Sequence, residues 1–167
     1  SADETGAFFA DVLVRSCAGL VERFDAAGLD GWRTEGEWQA ARGEVTGSGA
    51  LLSHDRYTDF DLETTLLAAT GEAGVVFDAR PDGGDHAAAL LVPAPARIEV
   101  REVRGGKAAA IASAALPAND AHRPHRLRVS QRQGRLSVEV DGSPVLATFR
   151  PDAQGGPVGL TALEPAQ

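Results

Sequence analysis

Glycine recurs along the whole chain, and short runs of alternating apolar and polar residues fill the intervals between the glycines. The glycines stand singly or in pairs at positions 28, 31, 43, 47, 49, 71, 83–84, 105–106, 134, 142 and 155–156. Short alternating runs between frequent turn signals are typical of an all-β sandwich or barrel. A chain of 167 residues buries one sizeable core, so a single domain over residues 1–167 is expected.

Three runs show the alternation most clearly, at residues 97–104, 126–131 and 135–140. A period of two places their apolar side chains on one face and their Arg, Ser and Glu side chains on the other. Asp141-Gly142 follows the third run and predicts a two-residue hairpin turn, because Gly tolerates positive φ. Gln133-Gly134 predicts another turn.

Four further runs complete the expected strands. Residues 59–70 predict a long strand, and residues 73–79 are its expected hairpin partner. Residues 85–92 and 107–116 are also interpreted as strands. The last of these is rich in Ala and has helical propensity, but its position between two β-runs favours a strand.

The N-terminal region fits two patterns. Apolar residues at helical spacing allow one amphipathic helix from residue 5 to residue 27. Gly6 and Gly19 interrupt that helix, and residues 9–14 alternate like a strand. We favour two strands, at about residues 7–15 and 19–24.

The charge balance narrows the range of partners. The net charge is −8, which argues against nucleic acid or an anionic membrane surface as a partner. No apolar run is long enough to insert into a bilayer. A single cysteine, Cys17, excludes an internal disulfide. The sequence contains no Met and no visible signal peptide, so its ends need not be natural ends.

Eight short segments follow one another in a recognisable order. They are Phe24-Asp25, Gly31-Trp32, Gly36-Glu37-Trp38, Tyr57-Thr58-Asp59-Phe60, Gly74-Val75-Val76-Phe77, His125-Arg126-Leu127-Arg128-Val129, Val140-Asp141-Gly142 and Gly156-Pro157-Val158-Gly159-Leu160. This order resembles the concanavalin-A-like jelly-roll superfamily, in the branch of LamG-like, 3-keto-disaccharide hydrolase-like and fructan-binding domains. The resemblance implies two packed antiparallel sheets, one of them concave. It also implies sugar binding, cleavage of glycosides that bear a 3-keto sugar, or a spacer role.

One strand of this pattern is displaced. In that branch a closing strand of the type Phe-Asp-Asn-Val-x-Val follows the Gly-Pro-Val-Gly-Leu step, whereas here the matching segment is Phe9–Val14. The displacement is explained by circular permutation, by excision from a tandem array, or by accidental likeness. We expect residues 7–15 to fill the closing position beside residues 158–163, since an open sheet edge invites association. Closure of its own sheet predicts a monomer, and closure of a neighbour's sheet predicts a swapped dimer or fibre.

Sugar binding needs an exposed aromatic platform and a few fixed polar groups. The ligand-binding candidates are Glu37, Trp38, Tyr57, Asp78, Arg80 and His86. Trp32 is expected in the core and Trp38 to be half-buried, whereas Tyr57 is expected to line a groove rim. The family often carries Arg directly after its Gly-x-x-Phe strand. Here that position is Asp78, with Arg80 two residues later, and this departure weakens transfer of the hydrolase active site.

A glycosidase requires paired carboxylates, and the candidates are Glu35, Glu37, Asp59, Asp61, Glu63 and Asp78. Alternation places Asp59, Asp61 and Glu63 opposite Phe60, on what is interpreted as a solvated outer face. We therefore assign no catalytic residue. The histidines lack zinc spacing. Acidic, Gly-rich loops suit calcium, and its candidate ligands are Asp55, Asp82 and Asp85.

Three functions are consistent with these patterns. The first is a non-catalytic carbohydrate-binding or accessory module of a larger extracellular or cell-envelope protein. The second is a structural module that associates with neighbours or with itself through an edge strand. The third is a glycoside hydrolase of the 3-keto-disaccharide type, which ranks last because the expected Arg is absent.

Overall fold

The computed structural model describes residues 7–15, 20–22, 28–68, 71–80, 84–117 and 123–163. These residues form thirteen β-strands, and none of them forms a helix long and apolar enough to cross a membrane. The strands are β1 (Ala7–Arg15), β2 (Leu20–Glu22), β3 (Trp32–Ala41), β4 (Glu44–Ser53), β5 (Phe60–Ala68), β6 (Glu72–Phe77), β7 (His86–Pro93), β8 (Ala96–Arg104), β9 (Lys107–Ala115), β10 (His125–Arg132), β11 (Arg135–Val140), β12 (Ser143–Phe149) and β13 (Gly159–Leu163).

The strands pair antiparallel in one continuous ladder with the order β12-β11-β10-β5-β1-β4-β13-β6-β7-β8-β9. The strand β2 adds to β1, and β3 adds to β4. The two ends of the ladder, β9 and β12, lie close together, so the ladder folds over on itself into a sandwich. The predicted all-β jelly-roll sandwich is confirmed.

The ladder turns from one layer to the other along β4. Its first part pairs with β1 from Ala10↔Glu44 to Ala7↔Gly47, and its second part pairs with β13 from Gly49 onward. Gly49 lies opposite Gly36 of β3, and both have φ of +96°. A Cβ on either would lie 2.1–2.2 Å from a carbonyl oxygen of the facing strand. Glycine at both positions therefore allows the β3–β4 hairpin to cross between the layers.

The N-terminal segment is a strand, so the helical alternative is wrong. β1 pairs with β5 along its length, with a bulge at Asp11, whose φ is +52°. On its other edge it pairs first with β4 and then, from Val12 to Val14, with β2. Phe9, Val12 and Val14 are at most 1% exposed, so β1 closes the sandwich of its own chain.

The expected position of β1 beside residues 158–163 is wrong. β13 already pairs on one edge with β4 and on the other with β6. The open edges belong instead to β5 and to the first part of β4, and β1 occupies both. β1 therefore lies beside β4, one strand away from its predicted position beside β13.

The other predicted strands are confirmed to within a few residues. The predicted hairpin between residues 59–70 and 73–79 is wrong, because β5 pairs with β1 and β10, whereas β6 pairs with β7 and β13. Asp141 and Gly142 have φ of +53° and +83°, and Gln133 and Gly134 have φ of +49° and +80°, as the predicted two-residue hairpins require. The Ala-rich β9 is a strand because it pairs with β8 from Arg97↔Ala115 to Arg104↔Lys107. Tertiary pairing outweighs its helical propensity.

Truncation of Phe9 tests whether β1 belongs to the core. Its ring is 1% exposed and lies 6.0 Å from the Trp38 ring. We expect Phe9→Ala to lower the free energy of unfolding by about 3–5 kcal/mol, because a fully buried ring leaves a cavity. Urea denaturation followed by circular dichroism measures this.

The matched control is Phe149→Ala. Phe149 is 60% exposed, so the control should change the free energy of unfolding by about 0.5 kcal/mol or less. Equal effects of the two variants would show that β1 does not pack as described.

Candidate functional site

A polar cleft of about 210 Å³ opens where β6 ends, β7 begins and β12 ends. Its polar and charged lining residues come from these strand ends, from β8 and from the loop after β12. They are Asp78, Arg80, Asp85, His86, Glu102, Arg104, Arg150, Asp152 and Gln154. We call this site the Arg150 cleft.

Arg150 is the fixed cation of the cleft. The residue is only 6% exposed, and its Nε donates to Oε1 of Glu102 over 2.9 Å. Its Nη1 donates to Oδ2 of Asp78 and, over 2.8 Å, to Oε1 of Gln131. The guanidinium lies 5.1 Å from the centre of the Phe77 ring, within cation–π range. Two carboxylates, an amide and an aromatic face therefore hold it in one orientation.

The buried amide of Gln131 completes this network. The residue is fully buried, and its Nε2 donates to the Thr58 carbonyl oxygen over 2.9 Å and to Oδ1 of Asp78 over 3.4 Å. These contacts fix the amide so that its oxygen faces Arg150. Asp78 itself has φ of +51°, a left-handed conformation that Asp tolerates better than most residues. This turn directly after β6 positions the Asp78 carboxylate beside Arg150.

One guanidinium nitrogen of Arg150 remains available. Within the described residues Nη2 makes no hydrogen bond, whereas Nε and Nη1 are both used. Nη2 is not among the buried polar atoms that lack a partner, so solvent reaches it. The cleft therefore offers a preoriented donor beside two carboxylates, and both kinds of group bind hydroxyl groups.

The rim of the cleft is organised by backbone contacts. The backbone N–H of Arg80 donates to the Asp85 carbonyl oxygen over 2.8 Å, and Oδ1 of Asp85 accepts from the Gly105 N–H over 2.9 Å. His86 Nδ1 lies 3.1 Å from the Gly84 carbonyl oxygen and donates to it, since a carbonyl only accepts. In the tautomer that makes this contact, Nε2 is an acceptor.

The structure brings together three of the six ligand-binding candidates. Asp78, Arg80 and His86 line the Arg150 cleft, whereas Glu37 is exposed on β3 and Trp38 is half-buried against the core. The half-buried Trp38 is as predicted, and its Nε1 donates to the Glu35 carbonyl oxygen over 3.2 Å. Trp32 lies in the core, also as predicted.

The expectation that Tyr57 lines a groove rim is wrong. The residue is 5% exposed and packs in the main hydrophobic cluster. Its backbone forms an isolated bridge with Gly156, which draws the segment inward against the loop before β13. Burial, and secondarily the charge of Asp55, raises the pKa of the Tyr57 hydroxyl.

The acids around β5 have structural partners. Asp61 pairs with Arg132 over 3.0 Å, and Glu63 pairs with Arg126. Asp59 accepts the Gln133 N–H over 3.0 Å. These contacts confirm the outer-face interpretation, and none of these acids lines the Arg150 cleft.

The calcium candidates remain predictions. Asp82 lies outside the described residues, Asp85 lines the Arg150 cleft, and Asp55 is exposed in the loop after β4. Within the described ranges no group of three or more His, Cys, Asp or Glu side chains is placed to hold a metal ion.

The sequence interpretation missed three residues at the centre of the site, namely Arg150, Glu102 and Gln131. The position after the Gly-x-x-Phe strand, where the family often carries Arg, is Asp78 in this sequence. Arg150 supplies a positive group from the end of β12, 72 positions after Asp78. The sequence offers no periodic pattern for it, because Arg150 stands outside a strand.

Residues 19–165 match a family model described as the 3-keto-alpha-glucoside-1,2-lyase-like domain. Among solved structures, the carbohydrate-binding module CBM66 from Bacillus subtilis matches with a TM-score of 0.71 and 18% identity, over 80% of this chain and 92% of that chain. Sheep galectin-11 matches with a TM-score of 0.49 and 9% identity, over 68% and 87% of the two chains. No curated protein matches the chain. The likeness to CBM66 shows a shared fold.

The ion pairs of Asp61 predict a pH dependence of stability. Burial raises the pKa of Asp61, but hydrogen bonds from Ser130 and Arg132 and the charges of Arg132 and Arg128 outweigh it, so the pKa is lowered overall. A lowered pKa stabilises the fold above the unfolded-state value of about 3.9, and that contribution is lost as the pH falls through the folded-state pKa.

We therefore expect Asp61→Asn to lower the free energy of unfolding at pH 7 and to have a smaller effect as the pH falls below about 4. Urea denaturation across this range measures both. The control is Asp30→Asn, because Asp30 is exposed and should show no comparable trend. A deficit for Asp61→Asn that stays constant with pH would contradict the ion-pair account.

Proposed function

This chain belongs to the family of 3-keto-alpha-glucoside-1,2-lyase-like domains, and we propose that it is a carbohydrate-binding module whose site is the Arg150 cleft. The observation that supports this function best is the buried Arg150, held by Asp78, Glu102 and Gln131 with its Nη2 open to the cleft. Two neighbouring hydroxyl groups of a sugar are recognised by such a fixed donor beside fixed acceptors.

The size of the cleft favours one sugar residue. Its volume of about 210 Å³ is below the range of roughly 300–1,000 Å³ that drug-sized ligands occupy. The cleft therefore has room for the terminal sugar residue of a longer glycan. The rest of the glycan would extend outward past the rim residues Arg80, His86 and Asp152.

The charge of the cleft favours a neutral sugar. Its lining has four carboxylates, Asp78, Asp85, Glu102 and Asp152, and three guanidinium groups, Arg80, Arg104 and Arg150. The two signs nearly cancel, so neither a strong anion nor a strong cation is favoured. The fold likeness to CBM66, a carbohydrate-binding module by name, supports this proposal. An accessory role within a larger extracellular protein follows from the same proposal.

Titration calorimetry with common monosaccharides and their disaccharides tests the proposal. Direct removal of Arg150 would leave the buried Asp78 carboxylate without its cation and endanger folding, so rim variants are the better probes. We expect His86→Ala and Asp152→Asn each to weaken binding about fivefold, since one hydrogen bond contributes about 1 kcal/mol.

The exposed Asp30→Asn serves as the charge-matched control and should bind like the parent chain. Folding of every variant is verified by its thermal transition. The proposal fails if no sugar binds to the folded chain, or if the rim variants bind as tightly as the control.

A second candidate is cleavage of a 3-keto glycoside, and the family match together with the paired carboxylates Asp78 and Glu102 favours it. In this case one carboxyl group would act on the proton next to the keto group or on the leaving oxygen. A chromogenic 3-keto-α-glucoside should be cleaved by the parent chain and at least about a hundredfold more slowly by Glu102→Gln. Absence of cleavage, with sugar binding retained, would leave the binding module as the function.

Strand exchange as the basis of an assembly role remains a prediction. The pairing of β1 with β4 and β5 of its own chain uses the edges that such exchange would require.

A further inference from the structure

A second surface with features of a ligand site lies on the outward face of β10, β11 and β12. A shallow groove of about 650 Å³ is lined there by Ser130, Arg132, Arg135, Ser137, Ala147 and Phe149. We call it the Phe149 groove. It shares no lining residue with the Arg150 cleft. Phe149 is 60% exposed, more than any other large apolar side chain in the described part of the chain.

Strand register explains the shape of the groove. Arg132, Arg135 and Phe149 lie directly opposite one another on the three neighbouring strands and form one row. Ser130, Ser137 and Ala147 form the next row on the same face. The row of small side chains therefore lines the base of the groove, and the row of large side chains lines one of its sides. Three strands span about 10 Å, so the groove is long enough for more than one sugar unit.

One edge of the Phe149 ring lies against the neighbouring turn. A Cβ added to Gly134 would lie 3.2 Å from Cε2 of Phe149, so the ring covers the turn between β10 and β11. The carbonyl oxygen of Gly134 accepts the Arg150 N–H over 2.6 Å, which ties the end of β12 to this turn. An exposed aromatic ring suits stacking against the C–H face of a sugar.

The charges of the groove are unbalanced. Arg132 pairs with Asp61 over 3.0 Å and donates to the Gln131 carbonyl oxygen over 2.8 Å. Arg135 has no hydrogen bond or ion pair within the described residues. It lies directly opposite Arg132, which carries the same charge. Like charges directly opposite each other destabilise a sheet, and a bound anion beside Arg135 would relieve this repulsion.

We propose that the Phe149 groove binds a polysaccharide chain that carries carboxylate groups, as chains of uronic acids do. The sugar face stacks on Phe149, and the carboxylate pairs with Arg135. The hydroxyl group of Ser137 provides a further hydrogen bond, and the Ser130 oxygen, whose hydrogen is donated to Asp61, remains an acceptor. The acidic net charge of −8 does not prevent this, because salt screens charges over about 8 Å under physiological conditions.

Affinity electrophoresis and calorimetry with polygalacturonate, with neutral dextran as the comparison, test the proposal on the whole chain. We expect the parent to bind polygalacturonate more tightly than dextran, and binding to weaken with salt. Phe149→Ala should weaken binding to polygalacturonate by about fivefold to tenfold. Arg135→Gln should weaken it by about threefold or more and reduce its salt dependence.

Matched controls are Ile111→Ala and Lys107→Gln, an exposed apolar side chain and an exposed cation on β9. Both should bind like the parent. The inference is overturned if polygalacturonate does not bind, if dextran binds equally well, or if the Phe149 and Arg135 variants match their controls. His86→Ala should leave polygalacturonate binding unchanged, so a failure here is distinguishable from a failure of the Arg150 cleft.

Discussion

The insertion of β1 between β4 and β5 is the contact on which the rest of the fold depends. It joins the strands β12, β11, β10 and β5 to the strands β4, β13, β6, β7, β8 and β9. Without β1, the edge of β5 and the first part of β4 would expose unpaired N–H and C=O groups. The side chains of Phe9, Val12 and Val14, on the inner face of β1, are also part of the common hydrophobic core. Backbone pairing and apolar burial therefore act at the same place.

The Arg150 cleft follows from this closed ladder. Asp78 stands after β6 and Glu102 on β8, only two strands away in the ladder order, whereas Arg150 follows β12 at the opposite end of the ladder. They meet because the ladder folds over and brings its ends together. Desolvating Arg150 is offset by its contacts with two carboxylates and an amide. Such a network has one favourable arrangement, which keeps the guanidinium of Arg150 in a fixed orientation.

The sequence predicted the parts of this structure that depend on local pattern. Alternation and turn residues located the strands around Phe60, Val129 and Val138, because period two and positive φ are local properties. The partner of β1 was mispredicted, because edge availability depends on how β4 divides its pairing between β1 and β13. Asp78, Arg80 and His86 were found through their places in the family pattern. Arg150, Glu102 and Gln131 were missed, because their roles arise from contacts across 19 to 72 positions of the chain.

Native-state hydrogen exchange of the β1 amides, followed by NMR at several protein concentrations, tests the central claim most directly. If β1 lies between β4 and β5 of its own chain, the amides of residues 8–10 and 12–14 that pair with these strands should exchange slowly. Their protection should approach that of the core strand β5 and should not vary with protein concentration. Rapid exchange of these amides, or protection that appears only as the concentration rises, would contradict closure of the sandwich by its own β1.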